Sequence, residues 1–415
     1  MKRKDLERKN QRETLRWLNS MSKRLVHTPE GVRDIYGEEL EKKLVIQDKL
    51  HQTFLEAGYK DIQTPSFEFF DVFGKEIGTI TSKDLYKFFD KEGNTLALRP
   101  DFTPSMARSC SKYFMDETLP VRFTYCGNAF LNTSNLQGKL KETTQMGVEL
   151  FNDGSVFADA EMIALAVEAM KAVGLKEFQI SVGNIEFFKG ICEEIGLTEE
   201  DELTLRDYIS MKNYFGAEEF LLSIGVNKEQ ANIVLKATDA FGNVEFLEEA
   251  KALVHNERSL QAIVNLQNLY EALDAYNVTK YVSFDLSIVS KYNYYTGVIF
   301  KGYTYGVGDA VLTGGRYDKL LSYFGKEAPA IGFMITIDEL MIALTSQKIE
   351  ISIQNDVTLM LYAQDKAKEA IKAAATMRRE GKKVELVCKQ ADKTMEEYEA
   401  YAKNNRVYEI DKRYL

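Results

Sequence analysis

Three short segments carry side chains able to recognise a small charged molecule. Asp101 and Thr103 follow a strand-like stretch at Leu96–Arg99. Gln145, Gly147 and Glu149 alternate along a second such stretch, so that as a strand it presents Gln145 and Glu149 on one face. Tyr294-Tyr295-Thr296-Gly297 precede a third. Carboxylates and tyrosines turned into one pocket suit a cationic or amphipathic ligand such as an amino acid, because a carboxylate forms a charge-assisted bond to an ammonium group. Taken on spacing alone, Gln145 and Glu149 read rather as solvated strand residues.

Other chemistries lack their signatures. There is no Gly-rich phosphate loop of the Walker type, no GxGxxG after a first strand, and no metal-ligand spacing, so no metal and no cofactor is expected. The glycine pair Gly314-Gly315 reads as a strand-to-helix turn. Only three histidines occur, His27, His51 and His255, none near another candidate base in sequence, so histidine-dependent catalysis is not expected. Cys110, Cys126, Cys192 and Cys388 are widely separated and read as reduced thiols of a cytoplasmic protein. A net charge of -10 does not point to nucleic acid, whose phosphates need clustered Lys and Arg. No apolar run reaches the roughly 20 residues of a membrane span, and no secretory leader is expected.

The elements that must position these residues are legible in outline. Residues 1–24, with nine Lys or Arg against three Asp or Glu, read as a basic, solvated N-terminal extension. Leu40, Leu44, Ile46, Leu50, Phe54 and Leu55 recur at helical spacing, predicting a helix from Glu38 to Ala57 that ends at Gly58. A strand at Asp61–Thr64 stops at Pro65, and a hairpin follows around Glu92-Gly93-Asn94. Val121–Tyr125 and Gln145–Phe151 read as strands joined by a long polar loop, Asn132–Thr143. Asp159 is expected to cap an apolar helix that runs to Val173. Residues of about 186–275 lose strand signals and read as a helical insertion. Strands are expected again at Tyr281–Ile288, Val298–Tyr303, Asp309–Leu312 and Ala330–Ile337, with a helix at Tyr317–Phe324. Beyond a break at Gln347–Asn355, residues 355–415 alternate β-α-β-α-β, the pattern of a small three-layer α/β domain.

Several segments, in order over residues 27–345, resemble a histidyl-tRNA synthetase. Thr28-Pro29-Glu30-Gly31-Val32-Arg33-Asp34 is similar to the family's opening motif. The first helix, its strand and Pro65 resemble class II motif 1, a dimer interface. Leu98-Arg99-Pro100-Asp101-Phe102-Thr103 resembles the LRPE-x-T segment, and Gln145-Met146-Gly147-Val148-Glu149 the end of motif 2. Tyr294-Tyr295-Thr296-Gly297 and Gly314-Gly315-Arg316-Tyr317-Asp318 resemble two histidine-specific signatures, and Ala330-Ile331-Gly332-Phe333 a start of motif 3. The resemblance implies an α+β fold: a class II synthetase-like antiparallel sheet flanked by helices over 25–345, the insertion, and a shortened anticodon-binding domain at the C-terminus. It also implies that Asp101, Thr103, Gln145, Glu149, Tyr294 and Tyr295 bind histidine.

The departures from that family lie where it binds ATP. Its F-R-x-E reads Phe130-Leu131-Asn132-Thr133, so Leu131 and Thr133 replace the phosphate-clamping arginine and its acid. Its E-R-L reads Asp338-Glu339-Leu340, turning a cation into Glu339. Its R-G-L-D-Y-Y arginine is replaced by Ser290. Losing one preorganised donor of this kind typically costs ~10²–10³ in rate, and losing three is expected to abolish amino-acid activation. An erased ATP half beside a retained amino-acid half is similar to the synthetase-like regulatory subunits of short-form ATP phosphoribosyltransferase, as are Asp101, Ser290 and the helix start Ala158-Asp159-Ala160-Glu161. That resemblance implies a non-catalytic subunit that dimerises through motif 1, joins a catalytic subunit and answers to histidine as effector. A divergent active histidyl-tRNA synthetase and a histidine- or tRNA-binding sensor are the alternatives. A tRNA role is not expected from a C-terminal domain of this length without a clear basic stripe.

Overall fold

The first helix, α1 (Gly37–Glu56), buries Lys43, Ile46, Leu50 and Phe54, one inward stripe at spacings of three and four. Gly58 ends it at φ +84, a backbone region that strains residues with a side chain. The computed structural model describes residues 26–74, 82–133, 139–238, 241–288, 293–354 and 356–415, so the basic extension 1–24 lies outside it. The described elements continue as β1 (Lys60–Asp61), β2 (Phe67–Phe69), β3 (Lys87–Phe89), β4 (Thr95–Leu98), α2 (Thr103–Tyr113), β5 (Val121–Phe130), β6 (Glu142–Phe151) and α3 (Val156–Ala172). Next come β7 (Phe178–Asn184), α4 (Ile185–Glu194), α5 (Glu199–Ser210), α6 (Tyr214–Ser223), α7 (Lys228–Thr238), β8 (Phe241–Gly242), α8 (Val244–Lys251) and α9 (Glu257–Ala275). The chain then forms β9 (Val282–Asp285), β10 (Val298–Thr304), β11 (Leu312–Arg316), β12 (Ala330–Thr336) and α10 (Ile337–Ser346).

Nine of these strands form one sheet in the order β1-β5-β6-β12-β11-β10-β7-β9-β8. From β5 to β7 every neighbour is antiparallel, and only β1 with β5 and β7 with β9 run parallel. Helix α3 is nearly all apolar and buried, as expected of a helix laid across a sheet. Among the described residues of 185–275 the regular elements are helices apart from the two-residue β8. The chain is thus an α+β protein built on a mainly antiparallel sheet.

Contacts divide the chain into two units, Met1–Glu350 and Ile351–Leu415. The second is a parallel sheet in the order β14 (Lys383–Cys388), β13 (Val357–Tyr362), β15 (Glu409–Tyr414). Helix α11 (Ala367–Arg379) packs Ala370 and Ala374 with Met360 and Val384. Helix α12 (Met395–Asn404) packs Tyr398 and Ala402 with Leu359 and Leu361, so the two helices cover opposite faces.

Several local expectations are corrected. Gly314-Gly315 is not a turn but the middle of β11, because a Cβ at Gly314 would run into Phe300 and Phe333, and one at Gly315 into the ring of Tyr295. The expected helix Tyr317–Phe324 shrinks to a 3-10 turn at Leu321–Phe324, since the Tyr317 amide instead donates to the Ala330 carbonyl. Strand β11 begins at Leu312, where Asp309–Leu312 was expected, and β1 covers only Lys60–Asp61. The loop expected at Asn132–Thr143 lies at 131–141, between β5, which runs to Phe130, and β6, which starts at Glu142. Ser155, not Asp159, caps α3: its Oγ accepts the Ala158 amide, while Asp159 is held by Arg316 at 2.6 Å.

Candidate functional site

The site forms where the centre of the sheet meets the start of α2. The ladder between β6 and β12 sets Glu149 opposite Gly332 and Gln145 opposite Thr336. A Cβ at Gly332 would overlap the Glu149 carboxylate, so glycine there makes room for the acid on the sheet surface. From the turn before α2, Asp101 Oδ1 accepts the Thr103 amide at 2.9 Å, and Thr103 Oγ1 donates to Glu149 Oε1 at 3.0 Å. On the other side the Tyr317 hydroxyl donates a short hydrogen bond to Glu149 Oε2.

These groups are dry. Asp101, Gln145 and Glu149 are all buried, with Glu149 1% exposed. Burial pushes Asp101 up to about 7, against the pull of the Thr103 amide. Burial pushes Glu149 up to about 8; its hydrogen bonds from Tyr317 and Thr103 oppose this, and the nearby Asp101 adds to it. Asp101 Oδ2 and Gln145 Oε1 are buried acceptors without a donor among the described residues. An unsatisfied buried acceptor costs about 1–3 kcal/mol, which a ligand N–H removes.

Around these acceptors lies a cavity of about 20 Å³, lined by Asp101, Thr103, Tyr125, Gln145, Tyr294 and Tyr295 among others. That is room for little more than one water. Tyr125 stacks on Phe102 at 4.3 Å, and the Arg99 guanidinium lies 3.8 Å over the other partner in that stack, Phe102. Tyr294 packs at 4.8 Å from Tyr295 and at 5.9 Å from Tyr317. Six expected residues therefore converge: five line the cavity, and Glu149 bonds to two of its walls. Tyr125, Thr313 and Tyr317 are among the other residues that line it and were not expected as site residues. Tyr125 follows Phe123 at strand spacing, a weak signal. Tyr317 carried a signal in the histidine-specific signature that Gly314-Gly315-Arg316-Tyr317-Asp318 resembles, although the helix expected from Tyr317 set it apart from the site.

The positions where a synthetase would hold phosphate carry other groups. Leu131 continues the backbone pairing past β5, its amide bonded to the Lys141 carbonyl. Thr133 Oγ1 is buried without a partner among the described residues. Glu339 sits in the first turn of α10, held above the ordinary range by burial and then by Asp309. Next to it, Asp338 is buried, pairs with Lys43 at 2.9 Å and accepts the Thr144 amide at 2.7 Å. Ser290 lies outside the described residues. No group of three or more His, Cys, Asp or Glu side chains able to hold a metal occurs among the described residues.

The sheet and the acceptor-rich cavity define a protein of the histidyl-tRNA synthetase type, and a model of the family described as histidyl-tRNA synthetase matches residues 31–340. A crystal structure of histidyl-tRNA synthetase from Nostoc sp. PCC 7120 shares the fold at a TM-score of 0.75 and 20% identity, covering 92% of this chain and 90% of that one. A curated protein of Acetivibrio thermocellus, named ATP phosphoribosyltransferase regulatory subunit, is 40% identical over 87% of this chain and 86% of its own length. A relative of the same name from Ruminiclostridium cellulolyticum is also 40% identical, over 88% of this chain and 87% of its own. The crystal structure of an ATP phosphoribosyltransferase regulatory subunit/histidyl-tRNA synthetase from Bacillus halodurans superposes at a TM-score of 0.81 and 32% identity, covering 93% of this chain and 97% of that one. The chain belongs to the family of ATP phosphoribosyltransferase regulatory subunits. Among the described residues, no helix is long and apolar enough to cross a membrane.

Proposed function

We propose that this protein is the non-catalytic regulatory subunit of a short-form ATP phosphoribosyltransferase, that it is required for the first step of histidine biosynthesis, and that histidine bound in the retained cavity mediates feedback inhibition. The observation that carries the reading is the pair of buried, unsatisfied acceptors, Asp101 Oδ2 and Gln145 Oε1, beside the buried Glu149. The α-ammonium and imidazole N–H groups of histidine match that donor-poor surface. Thr103, Tyr294 and Tyr295 are the remaining contacts in this reading. No metal or cofactor takes part.

Leu131, Ser290 and Glu339 leave the site without the three cations that offset triphosphate charge in the synthetases it resembles, and Thr133 without the motif 2 acid, so it does not activate histidine. The chain dimerises through motif 1, and the small sheet that follows motif 1 in the chain extends the apolar surface available to a partner. The register β2-β4-β3 puts Phe67, Phe69, Phe88, Leu96 and Leu98 on one sheet face, where Phe67, Phe69 and Phe88 are exposed. Helix α1 adds the exposed Leu40 and Leu44. An apolar face of this kind is supported by a partner surface. A separate catalytic subunit is the other partner, and the complex is cytoplasmic. The basic extension 1–24, the synthetase-like domain 25–345 and the α/β domain 355–415 are its proposed parts.

The test is ATP phosphoribosyltransferase turnover by the short catalytic subunit with and without this protein, across a histidine titration. Activity that requires the protein and is suppressed by histidine is the expected result. Histidine-dependent exchange between ATP and pyrophosphate by this chain alone would instead establish a working synthetase and overturn the reading.

A further inference from the structure

The cavity of about 20 Å³ is too small for histidine, so any ligand larger than water requires one of its walls to move. Its walls are not equally able to do so. Gln145, Thr313, Gly332, Phe333 and Met334 sit in β6, β11 and β12, each fixed by ladder bonds on both edges. Tyr294 and Tyr295 lie instead in the connection before β10, which is anchored on their C-terminal side: the Thr296 amide donates to the Arg316 carbonyl at 2.8 Å, Thr296 Oγ1 accepts the Asp318 amide at 2.8 Å, and the Gly297 carbonyl accepts the Ile185 amide at 3.0 Å. Immediately before the two tyrosines, Asn293 Oδ1 accepts a hydrogen bond from Arg206 at 2.5 Å. Arg206 comes from α5 in the helical insertion.

Arg206 is an unusual donor. It is 8% exposed, and burial holds its guanidinium below its ordinary value although Glu202 and Asp207 on the same helix pull the other way. Its neighbours Leu205 and Ile209 are core residues of the insertion, so the guanidinium is carried on a firmly packed helix. A buried cation deprived of its hydrogen bond is costly. Movement of the Tyr294-Tyr295 segment away from the cavity is therefore opposed by the Arg206–Asn293 bond.

We propose that Arg206 and Asn293 are positioning residues that hold the two tyrosines over the cavity, coupling its occupancy to the helical insertion. The inference rests on the proposed histidine reading of this cavity. When a ligand enters, the tyrosine segment shifts, Asn293 releases Arg206, and α5 repacks. Because coupling is reciprocal, a partner that repositions α5 changes ligand affinity by the same factor.

The test uses the full chain and two substitutions at the exposed Asn293, chosen because Arg206 variants expose the fold to collapse. Asn293→Ala removes the acceptor; Asn293→Asp replaces it with a charge-assisted one. Amide hydrogen exchange across residues 293–297, without ligand, is expected to be roughly five- to ten-fold faster in Asn293→Ala and slower in Asn293→Asp. Calorimetric titration with histidine is expected to give tighter binding for the first and weaker for the second. A packing role for Asn293 would shift both variants the same way, and that result, or unchanged exchange in both, overturns the proposal. Absence of histidine binding in the parent protein sinks the histidine reading instead, while the exchange measurement still decides the clamp.

Discussion

Asp101 and Glu149 are carboxyl groups that water would ionise near pH 4, yet burial raises them to about 7 and about 8. A carboxyl with a raised value stabilises the empty fold fully below its unfolded value and ceases to do so as the pH climbs through the folded one. The unliganded protein should therefore lose stability progressively from about pH 4 to about pH 8 and level off above, a trend that thermal melts across that range would reveal. Ligand binding runs the other way. An ammonium group pairs with the ionised carboxylate, so histidine affinity should strengthen as pH rises through about 7 to 8, with protons released on binding. Titrations in buffers of different ionisation enthalpy measure that release. Glu149→Gln should weaken histidine binding roughly ten- to hundred-fold and flatten its pH dependence. Unchanged affinity would remove Glu149 from the site.

Elements are joined beneath the site by side chains that substitution can address one at a time. Lys43 of α1 and Asp338 at the start of α10 form a buried pair, and Asp338 also takes the Thr144 amide of β6. Lys43→Met strands a buried carboxylate and should cost about 3–5 kcal/mol in denaturant unfolding. Removing both charges together should cost much less, a difference that a double-mutant cycle isolates. Gly332→Ala presses a methyl group into the Glu149 carboxylate. It should displace the acid and lower histidine affinity more than it lowers the melting temperature, whereas an equal loss of both would mark the position as structural only.

For the whole molecule, the exposed aromatic face of the β2-β4-β3 sheet makes a concrete claim. Phe67 and Phe88 meet edge to face at 5.5 Å, while Glu68 on the opposite face is tied to Arg108 at 2.7 Å. One side of this small sheet is thus committed to the subunit's own core and the other is exposed, the face proposed above for self-association. Phe69→Glu should shift sedimentation from dimer to monomer without unfolding the chain. A variant that stays dimeric would place the self-contact elsewhere.

Much of this protein is legible in its sequence, because helical stripes, strand runs and motif order are local patterns. Helix α1, the alternation at Gln145–Glu149, the helical stretch after residue 185 and the β-α-β-α-β tail all follow from spacing. The family resemblance, not spacing, singled out Asp101, Gln145, Glu149, Tyr294 and Tyr295 as an expected histidine pocket, and the fold brings these residues together. Local patterns could not reveal what depends on distant chain segments meeting. Gly314-Gly315 looked like a turn because two glycines usually permit one; in the fold they are flat strand that leaves room for Phe300, Phe333 and Tyr295. Asp159 looked like a cap because of its place in the chain, yet Arg316, 157 residues away, claims it. Tyr317, the unpaired acceptors, the closed cavity and the bond from Arg206 to Asn293 exist only once β6, β11, β12 and the insertion are brought together. Burial and long-range pairing, which set both the carboxyl values and the room left for a ligand, are properties of the tertiary structure alone.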